Sequence, residues 1–342
     1  MKKVLGLIII SAVLASPVFA VMPDSFSVNG KAMIEYSKGL AGPLPAIDVK
    51  LVKKTPLLFI DVEMKGNPTA QSQGKKPSGQ AATGLLGAGP ASAKYAIVIG
   101  ICDYPGTSND ICWADGDSMN MYNALVDVYG YDPANIRLFR DMGDHPEILG
   151  ERSAIFDEIV QAINEIKGVA DADDEVVFFF SGHGGDGIAQ DSDKEARDEA
   201  IIVHNGFDKL VYIWDGYLRD TLFAGFATTR IAFVFDSCLS GGMKDVASAG
   251  RVVSMASGET QLAYVYSTGD KASGELGEGV FSHYFVNEGM LQGLADQYDH
   301  FPGEPVESDV VVEEAFDYAG ANIPKFIQTP TISDLFTNDL LL

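Results

Sequence analysis

The two side chains in this sequence best suited to chemistry are His183 and Cys238, which occupy similar settings. His183 lies in a Ser-Gly-His-Gly-Gly stretch that follows the apolar run 175–180, and Cys238 lies in an Asp-Ser-Cys-Leu-Ser-Gly stretch that follows the apolar run 231–235. Small flanking residues leave each reactive side chain little covered. A thiol beside an imidazole is a nucleophile with its general base, so the two motifs together predict nucleophilic catalysis.

The two apolar runs must position this pair. Both are rich in Phe and Val, which is typical of strands buried on both faces of a parallel sheet. In an open α/β sheet, ligands bind beyond the carboxyl ends of the strands. If the two strands are neighbours, His183 and Cys238 meet at that edge. A buried structural cysteine and a histidine in an ordinary glycine turn are the alternative, which the two matching settings disfavour.

Strands and helices alternate along the rest of the chain. This alternation predicts a three-layer α/β fold with a mostly parallel central sheet and helices on both faces. Further strands are predicted over 95–101, 135–140, 200–203, 251–256 and 262–267, and helices over 115–129, 153–166, 215–223, 280–294 and 310–321.

The first 20 residues have the composition of a secretory signal peptide. Two lysines precede the apolar run 4–15, and Val18 and Ala20 form a cleavage box. The run is short for a membrane span and is followed by Pro17. We therefore expect a secreted or extracytoplasmic protein with no stable membrane insertion after signal removal.

The mature chain is predicted to have two parts. Residues 21–93 form an N-terminal segment that ends in a Gly-, Ser- and Pro-rich linker over 66–93, and we expect this segment to act as a propeptide. A strand-like run lies within it at 56–62. Residues 94–342 form the main domain.

The net charge of the chain limits the kinds of partner it can bind. The chain has 48 acidic and 24 basic residues and a formal net charge of −24. Such a chain is poorly suited to nucleic acids or anionic membranes and favours cationic substrates or divalent metals.

Cys102 and Cys112 either form a disulfide or remain reduced in the core. We expect a monomer.

A glycine pattern raises one further possibility. Residues 182–187 spell G-x-G-x-x-G after a strand, which is the fingerprint of dinucleotide binding. That fingerprint must open a helix, whereas an acidic irregular stretch follows here. No organic cofactor is expected.

The two motifs resemble those of the caspase-like cysteine peptidases, in which the histidine also precedes the cysteine by about 50 residues. They are most similar to type I metacaspases, although Leu239 stands where a second histidine is common. The resemblance covers residue 94 to the C-terminus. It implies a caspase–hemoglobinase fold and a Cys–His endopeptidase, with backbone N–H groups of Gly184 and Cys238 stabilising the oxyanion. An Asn-specific legumain-like peptidase and a catalytically silent caspase-like binding domain are the alternatives.

The resemblance also implies a specificity pocket. The positions that select Arg or Lys at P1 in metacaspases correspond to Asp117, Ser181 and Asp236. The implied partners are peptides or proteins with basic P1 residues. Taken alone, Asp117 is equally explained as an acid that complements the dipole of a helix N-terminus.

Calcium activation and self-processing are implied as well. By spacing, the calcium ligands correspond to Asp198, Asp215 and Asp245, although the family often has two successive acids where this chain has Asp215-Gly216. Hard carboxylate ligands from separate loops suit calcium. Basic residues in flexible stretches are the expected self-cleavage sites, namely Lys75, Lys76, Lys194 and Arg197.

Overall fold

The structure is a computed structural model, and it describes residues 31–35, 50–52, 86–104, 111, 113–140, 156–187, 198–204, 209–266, 278–298 and 310–342. The strands in chain order are β1 (Lys31–Glu35), β2 (Lys50–Val52), β3 (Lys94–Gly100), β4 (Ile136–Arg140), β5 (Glu175–Ser181), β6 (Gly184–Gly187), β7 (Asp198–His204), β8 (Lys209–Trp214), β9 (Ile231–Asp236), β10 (Arg251–Met255), β11 (Val265–Tyr266), β12 (Glu278–Gly279) and β13 (Thr331–Asp334).

Among these residues, a central sheet has the strand order β4-β3-β5-β9-β10-β13. Its first five strands are mutually parallel, and β13 closes one edge antiparallel to β10. The apolar runs of β5 and β9 are fully buried, because helices cover both faces of the sheet. The predicted α/β fold with a mostly parallel central sheet is confirmed.

Helices pack on the two faces of this sheet. Alternate residues of β3 point to opposite faces: Ile97 packs in the core that includes helix α2, and Val98 packs in the core that includes α1, α4 and α5. Three helices continue directly into π-helical turns. The helices are α1 (Trp113–Asn123, continued by Ala124–Val128), α2 (Phe156–Lys167), α3 (Asp215–Tyr217, continued by Leu218–Leu222), α4 (Val280–Ser282, continued by His283–Leu291) and α5 (Val312–Asn322), with 3₁₀ turns at Pro133–Asn135, Ser240–Val246 and Leu294–Tyr298.

A second sheet, with the order β2-β1-β8-β7-β6, adjoins the carboxyl edge of the first. The chain leaves β5, passes through His183 and enters β6, which pairs antiparallel with β7. Neither β6 nor β8 is predicted from the sequence; β6 escapes notice because it consists of Gly-Gly-Asp-Gly. Strand β1, from the N-terminal segment, pairs parallel with β8. The strand-like run at 56–62 lies outside the described residues.

Some of the predicted elements differ from those observed. The strand predicted over 262–267 is only the two-residue β11, because the N–H of Tyr264 is taken by the side chain of Gln328 at 2.8 Å. The helix predicted over 215–223 starts as one turn of α-helix and continues as a π-helical turn. Within the described part of the chain, no helix has the length and apolarity needed to cross a membrane.

Candidate active site

The register of β5 and β9 places the loops that carry the two reactive side chains next to each other. Ser181 at the end of β5 is the partner of Asp236 at the end of β9, and the N–H of Gly182 donates to the carbonyl of Asp236 at 3.2 Å. His183 and Cys238 each follow two residues later. Both are largely buried, with 6% and 5% of their surface exposed. Thiol and imidazole therefore belong to adjacent loops at the carboxyl edge of the sheet.

Tyr104 fixes the backbone and the ring of His183. Its hydroxyl accepts a hydrogen bond from the His183 N–H at 2.9 Å and donates one to the carbonyl of Ile202 at 2.8 Å. The two rings lie with centroids 4.6 Å apart. The sequence analysis did not identify Tyr104 as a site residue. The one feature that could have indicated it is its place just beyond the carboxyl end of β3.

Gly184 is in close contact with the cysteine loop. A Cβ on this residue would collide with the carbonyl oxygen of Cys238 and lie 3.1 Å from the hydroxyl of Ser237. Any larger residue would therefore push the histidine and cysteine loops apart. The position requires glycine for space rather than for backbone conformation.

The Cys238 thiol is hydrogen-bonded in this structure. It donates to the carbonyl oxygen of Ala263 at 3.8 Å. Burial raises the pKa of the Cys238 thiol to about 11; hydrogen bonding with the Ala263 backbone opposes this rise, and nearby Asp236 adds to it. With a pKa this high, Cys238 is a thiol at neutral pH.

The residue after the nucleophile has an unusual backbone conformation. Leu239 adopts φ 60° and ψ 12°, a left-handed conformation that costs a non-glycine residue about 1–2 kcal/mol. Its N–H donates to the carbonyl of Gln261 at 2.8 Å, which helps to hold the turn. The turn buries Leu239 beside the thiol.

The three predicted specificity residues also converge. Ser181 donates its hydroxyl to Asp117 at 2.7 Å, and the N–H of Gly279 donates to the same carboxylate at 3.0 Å. A Cβ on Gly279 would collide with Asp236 and lie 2.9 Å from Asp117. The two carboxylates therefore line one small space beside Gly279.

The buried carboxyl groups in this space have raised pKa values. Burial, then the nearby Asp236 and Glu278, raise the pKa of Asp117 well above its ordinary value. Burial raises the pKa of Asp236 to about 6, although Ser282 opposes the rise by donating its N–H at 2.9 Å and its hydroxyl at 2.7 Å. A bound guanidinium or ammonium group would favour the ionised forms of both acids.

Glu278 is a third acid beside this space, and no sequence motif indicates it. Its carboxylate accepts hydrogen bonds from Asn120 at 3.0 Å and Asn287 at 2.9 Å. It also contacts Nδ1 of His283 at 2.7 Å. The His283 ring lies between Glu278 and Glu288. Burial lowers the pKa of His283, but the two acids together outweigh burial, so the pKa is raised above its ordinary value.

The predicted calcium ligands lie on three elements that pack together. Asp198 begins β7, Asp215 begins α3 and Asp245 lies in the 3₁₀ turn after the cysteine loop, and these elements contact one another pairwise. Asp215 accepts the N–H of Gly216 at 2.7 Å. The described residues include no group of three or more His, Cys, Asp or Glu side chains arranged to hold a metal. The acidic stretch 188–197 lies outside them.

The two described cysteines differ in oxidation state. Cys102 is disulfide-bonded, whereas Cys238 is a free, buried thiol. Cys112 lies outside the described residues.

Comparison with known proteins agrees with this geometry. The family model of the metacaspase peptidase C14 domain matches residues 94–247, a range that includes both His183 and Cys238. A solved structure from Geobacter sulfurreducens has a TM-score of 0.46 at 14% identity and covers 72% of this chain and 95% of its own; a likeness at that level supports no argument.

Curated relatives come from fungi and plants. Metacaspase-1 of Cryptococcus neoformans is 27% identical over 212 residues, which is 59% of this chain and 42% of that protein. Metacaspase-1 of Yarrowia lipolytica is 31% identical over 51% of this chain and 34% of its own length. Metacaspase-4 of Arabidopsis thaliana is 30% identical over 45% and 35%. The matches thus span less than half of these relatives' length.

Proposed function

We propose that the metacaspase-type, caspase-like domain of this chain is a cysteine endopeptidase that cleaves after Arg or Lys. The observation that carries the proposal is the register of β5 and β9, which aligns Ser181 with Asp236 and so sets His183 beside Cys238. A silent binding domain has no need of this pair or of the glycine-only contact between Gly184 and Cys238.

The mechanism begins from a protonated nucleophile. Because burial raises the pKa of the Cys238 thiol to about 11, its proton leaves as the sulfur attacks rather than beforehand. Sulfur bonds to the peptide carbonyl carbon, the thiol proton passes to His183, and the oxyanion is stabilised by backbone N–H groups of Gly184 and Cys238. Collapse breaks the C–N bond, His183 protonates the leaving amine, and water hydrolyses the thioester.

Two buried acids and a partly buried third support a basic P1 residue. Asp117 and Asp236 face one space, and Glu278 lies beside it. Burying carboxylates with raised pKa values is costly for folding, and a cationic ligand offsets that cost. The Asn-specific alternative is disfavoured, because a neutral amide at P1 would leave these acids without a counter-charge.

Calcium activation and self-processing extend the proposal. Calcium would be bound by Asp198, Asp215 and Asp245, whose elements pack together, with oxygen ligands of the kind that calcium prefers. Since no assembled cluster is present among the described residues, no catalytic step is assigned to the metal. Self-cleavage at Lys75 or Lys76 would release the N-terminal segment.

Export is the last part of the proposal. The disulfide at Cys102 supports it, because disulfides persist in oxidising compartments and are rare in the cytosol. Fractionation of cells that express the full chain, with detection of the processed form outside the cytoplasm, tests it. Recovery of the whole chain from the cytoplasm, with Cys102 reduced, contradicts it.

A positional-scanning peptide library tests the core of the proposal. Purified protein should cleave peptides with Arg or Lys at P1 and spare those with Asn or Asp. Cys238→Ala is the matched control and should cleave none. A preference of the wild type for Asn at P1 would instead establish the legumain-like alternative.

A further inference from the structure

Gln328 is a buried amide that joins the two ends of one loop. It is 1% exposed. Its Nε2 donates to the carbonyl of Ala256 at 2.9 Å, and its Oε1 accepts the N–H of Tyr264 at 2.8 Å. Residues 256–264, here named the cover loop, run between these two attachment points.

The cover loop contacts residues 237–240, here named the cysteine turn, at several points. The N–H of Ser257 donates to the hydroxyl of Ser240 at 3.1 Å, and the hydroxyl of Ser257 donates to the carbonyl of Ser237 at 3.2 Å. The carbonyl of Gln261 accepts the N–H of left-handed Leu239. The turn that carries the nucleophile is thus held by a loop that is itself closed by Gln328.

The most direct connection runs through a single peptide bond. The thiol of Cys238 donates to the carbonyl of Ala263, and Gln328 accepts the N–H of Tyr264. These two groups belong to the same planar peptide unit, and in a trans peptide they point in opposite directions. Fixing the N–H on one side therefore fixes the carbonyl on the other, where the thiol lies.

We propose that Gln328 is a positioning residue for Cys238, because it orients the Ala263–Tyr264 peptide and closes the cover loop over the cysteine turn. This inference rests on the proposed peptidase function. Gln328 lies outside residues 94–247, which match the family model, so the site depends on a segment beyond the shared domain.

Two properties should change when the hydrogen bonds of Gln328 are lost. The nucleophile loses its fixed orientation, so kcat should fall about tenfold. KM for Arg peptides should change less than about twofold, because Asp117, Ser181 and Asp236 lie on other elements. A loosened cover loop also hydrates the thiol, so alkylation by iodoacetamide should reach its half-maximal rate at a lower pH than in the wild type.

The test compares Gln328→Met with the wild type. Methionine has a similar length and forms no hydrogen bond with either partner. Gln328→Ala is the second variant; Gln328 also lines a pocket of about 330 Å³ beside Ile323 and Pro330, from which water can reach the vacated groups, so we expect this variant to fold. Asn322→Ala is the matched control, because it removes an amide that donates to Tyr318 at 2.9 Å within the nearby helix α5.

Each possible result of this comparison either supports or overturns the proposal. A fall in kcat with constant KM, and a shifted alkylation profile in both Gln328 variants but not in Asn322→Ala, supports the proposal. Wild-type kcat and an unchanged alkylation profile in folded Gln328→Met overturns it. If the wild type cleaves no peptide, the proposed function fails, whereas the alkylation profile still reports whether Gln328 positions the thiol.

Discussion

Ser181 and Asp236 are paired on neighbouring parallel strands, and each precedes a reactive side chain by two residues. The same pairing brings both residues to the proposed specificity pocket, where the hydroxyl of Ser181 donates to Asp117 at 2.7 Å. One strand register therefore sets the proposed catalytic pair and the proposed pocket together. A slip of one residue would turn these side chains to the opposite face and separate them.

Gly184→Ala should inactivate the protein. The added methyl would collide with the carbonyl oxygen of Cys238 and displace the histidine loop, so we expect kcat/KM for an Arg peptide to fall at least about 100-fold, as misplacement of about 1 Å can cause. The control is Gly320→Ala, since a Cβ there meets nothing within 4 Å. Wild-type kinetics of Gly184→Ala would show that the two loops do not need this close approach.

Asp236→Asn should raise stability while it lowers activity. The folded pKa of Asp236 is about 6 against an ordinary value of 3.8, so the folded state binds its proton more tightly than the unfolded state. The free energy of unfolding therefore decreases as the pH rises from about 4 to about 6. At pH 7.5 the neutral amide should stabilise the fold by up to about 3 kcal/mol, and at pH 3.5 the difference should vanish.

Thermal melts and peptide kinetics check this prediction. Tm of Asp236→Asn should exceed that of the wild type by several degrees at pH 7.5, while kcat/KM for Arg peptides falls about 100-fold or more. Ser282→Ala, which removes one of the hydrogen bonds to Asp236, should instead lower Tm. A lower Tm for Asp236→Asn at pH 7.5 would be inconsistent with a buried carboxylate of raised pKa.

Binding of a guanidinium compound should depend on pH. Asp236 loses its proton near pH 6, and the pKa of Asp117 is also raised. A cation bound in this pocket favours the ionised acids, so agmatine should bind more tightly as the pH rises from 5 to 7 and should release protons on binding at the lower pH. Calorimetry in buffers of different ionisation enthalpy measures this release. Affinity that is constant over this range, with no proton release, would exclude these two acids as the cation site.

Calcium should promote self-cleavage. Wild type incubated with calcium should produce fragments that begin at Lys76, Pro77, Glu195 or Asp198, because a peptidase that accepts basic P1 residues meets the basic residues of its own chain at high effective concentration. Asp198→Ala and Asp245→Ala should slow this cleavage, and Cys238→Ala should abolish it. Mass spectrometry of new N-termini gives the result. Full peptidase activity of uncut wild type in excess chelator would contradict both calcium activation and activation by self-cleavage.

The positions of His183 and Cys238 followed from local sequence, since a buried strand ending in small residues is visible in its composition. The α/β order also followed from alternating apolar patterns. Tyr104, Glu278 and Gln328 did not follow, because each acts across more than 50 residues through a contact that only the folded topology creates. A single buried polar residue carries no periodic signal that indicates its partner.

The short strands and π-helical turns were missed for a related reason. Strand β6 consists of small and acidic residues, so nothing in its composition indicates a strand. Its formation depends on pairing with β7, which is decided by tertiary structure. The shortening of the strand predicted over 262–267 likewise depends on one hydrogen bond, which the N–H of Tyr264 donates to Gln328.

The most direct test of the catalytic assignment is covalent labelling by a peptide acyloxymethyl ketone with Arg at P1. Mass spectrometry of labelled wild type should place one adduct on Cys238, in proportion to the loss of peptidase activity. Cys238→Ala should carry no adduct and cleave at least about 10⁴-fold more slowly, and His183→Ala nearly as slowly, because the pair acts as a unit. Substantial turnover by purified Cys238→Ala, or an adduct on another residue, would contradict the account.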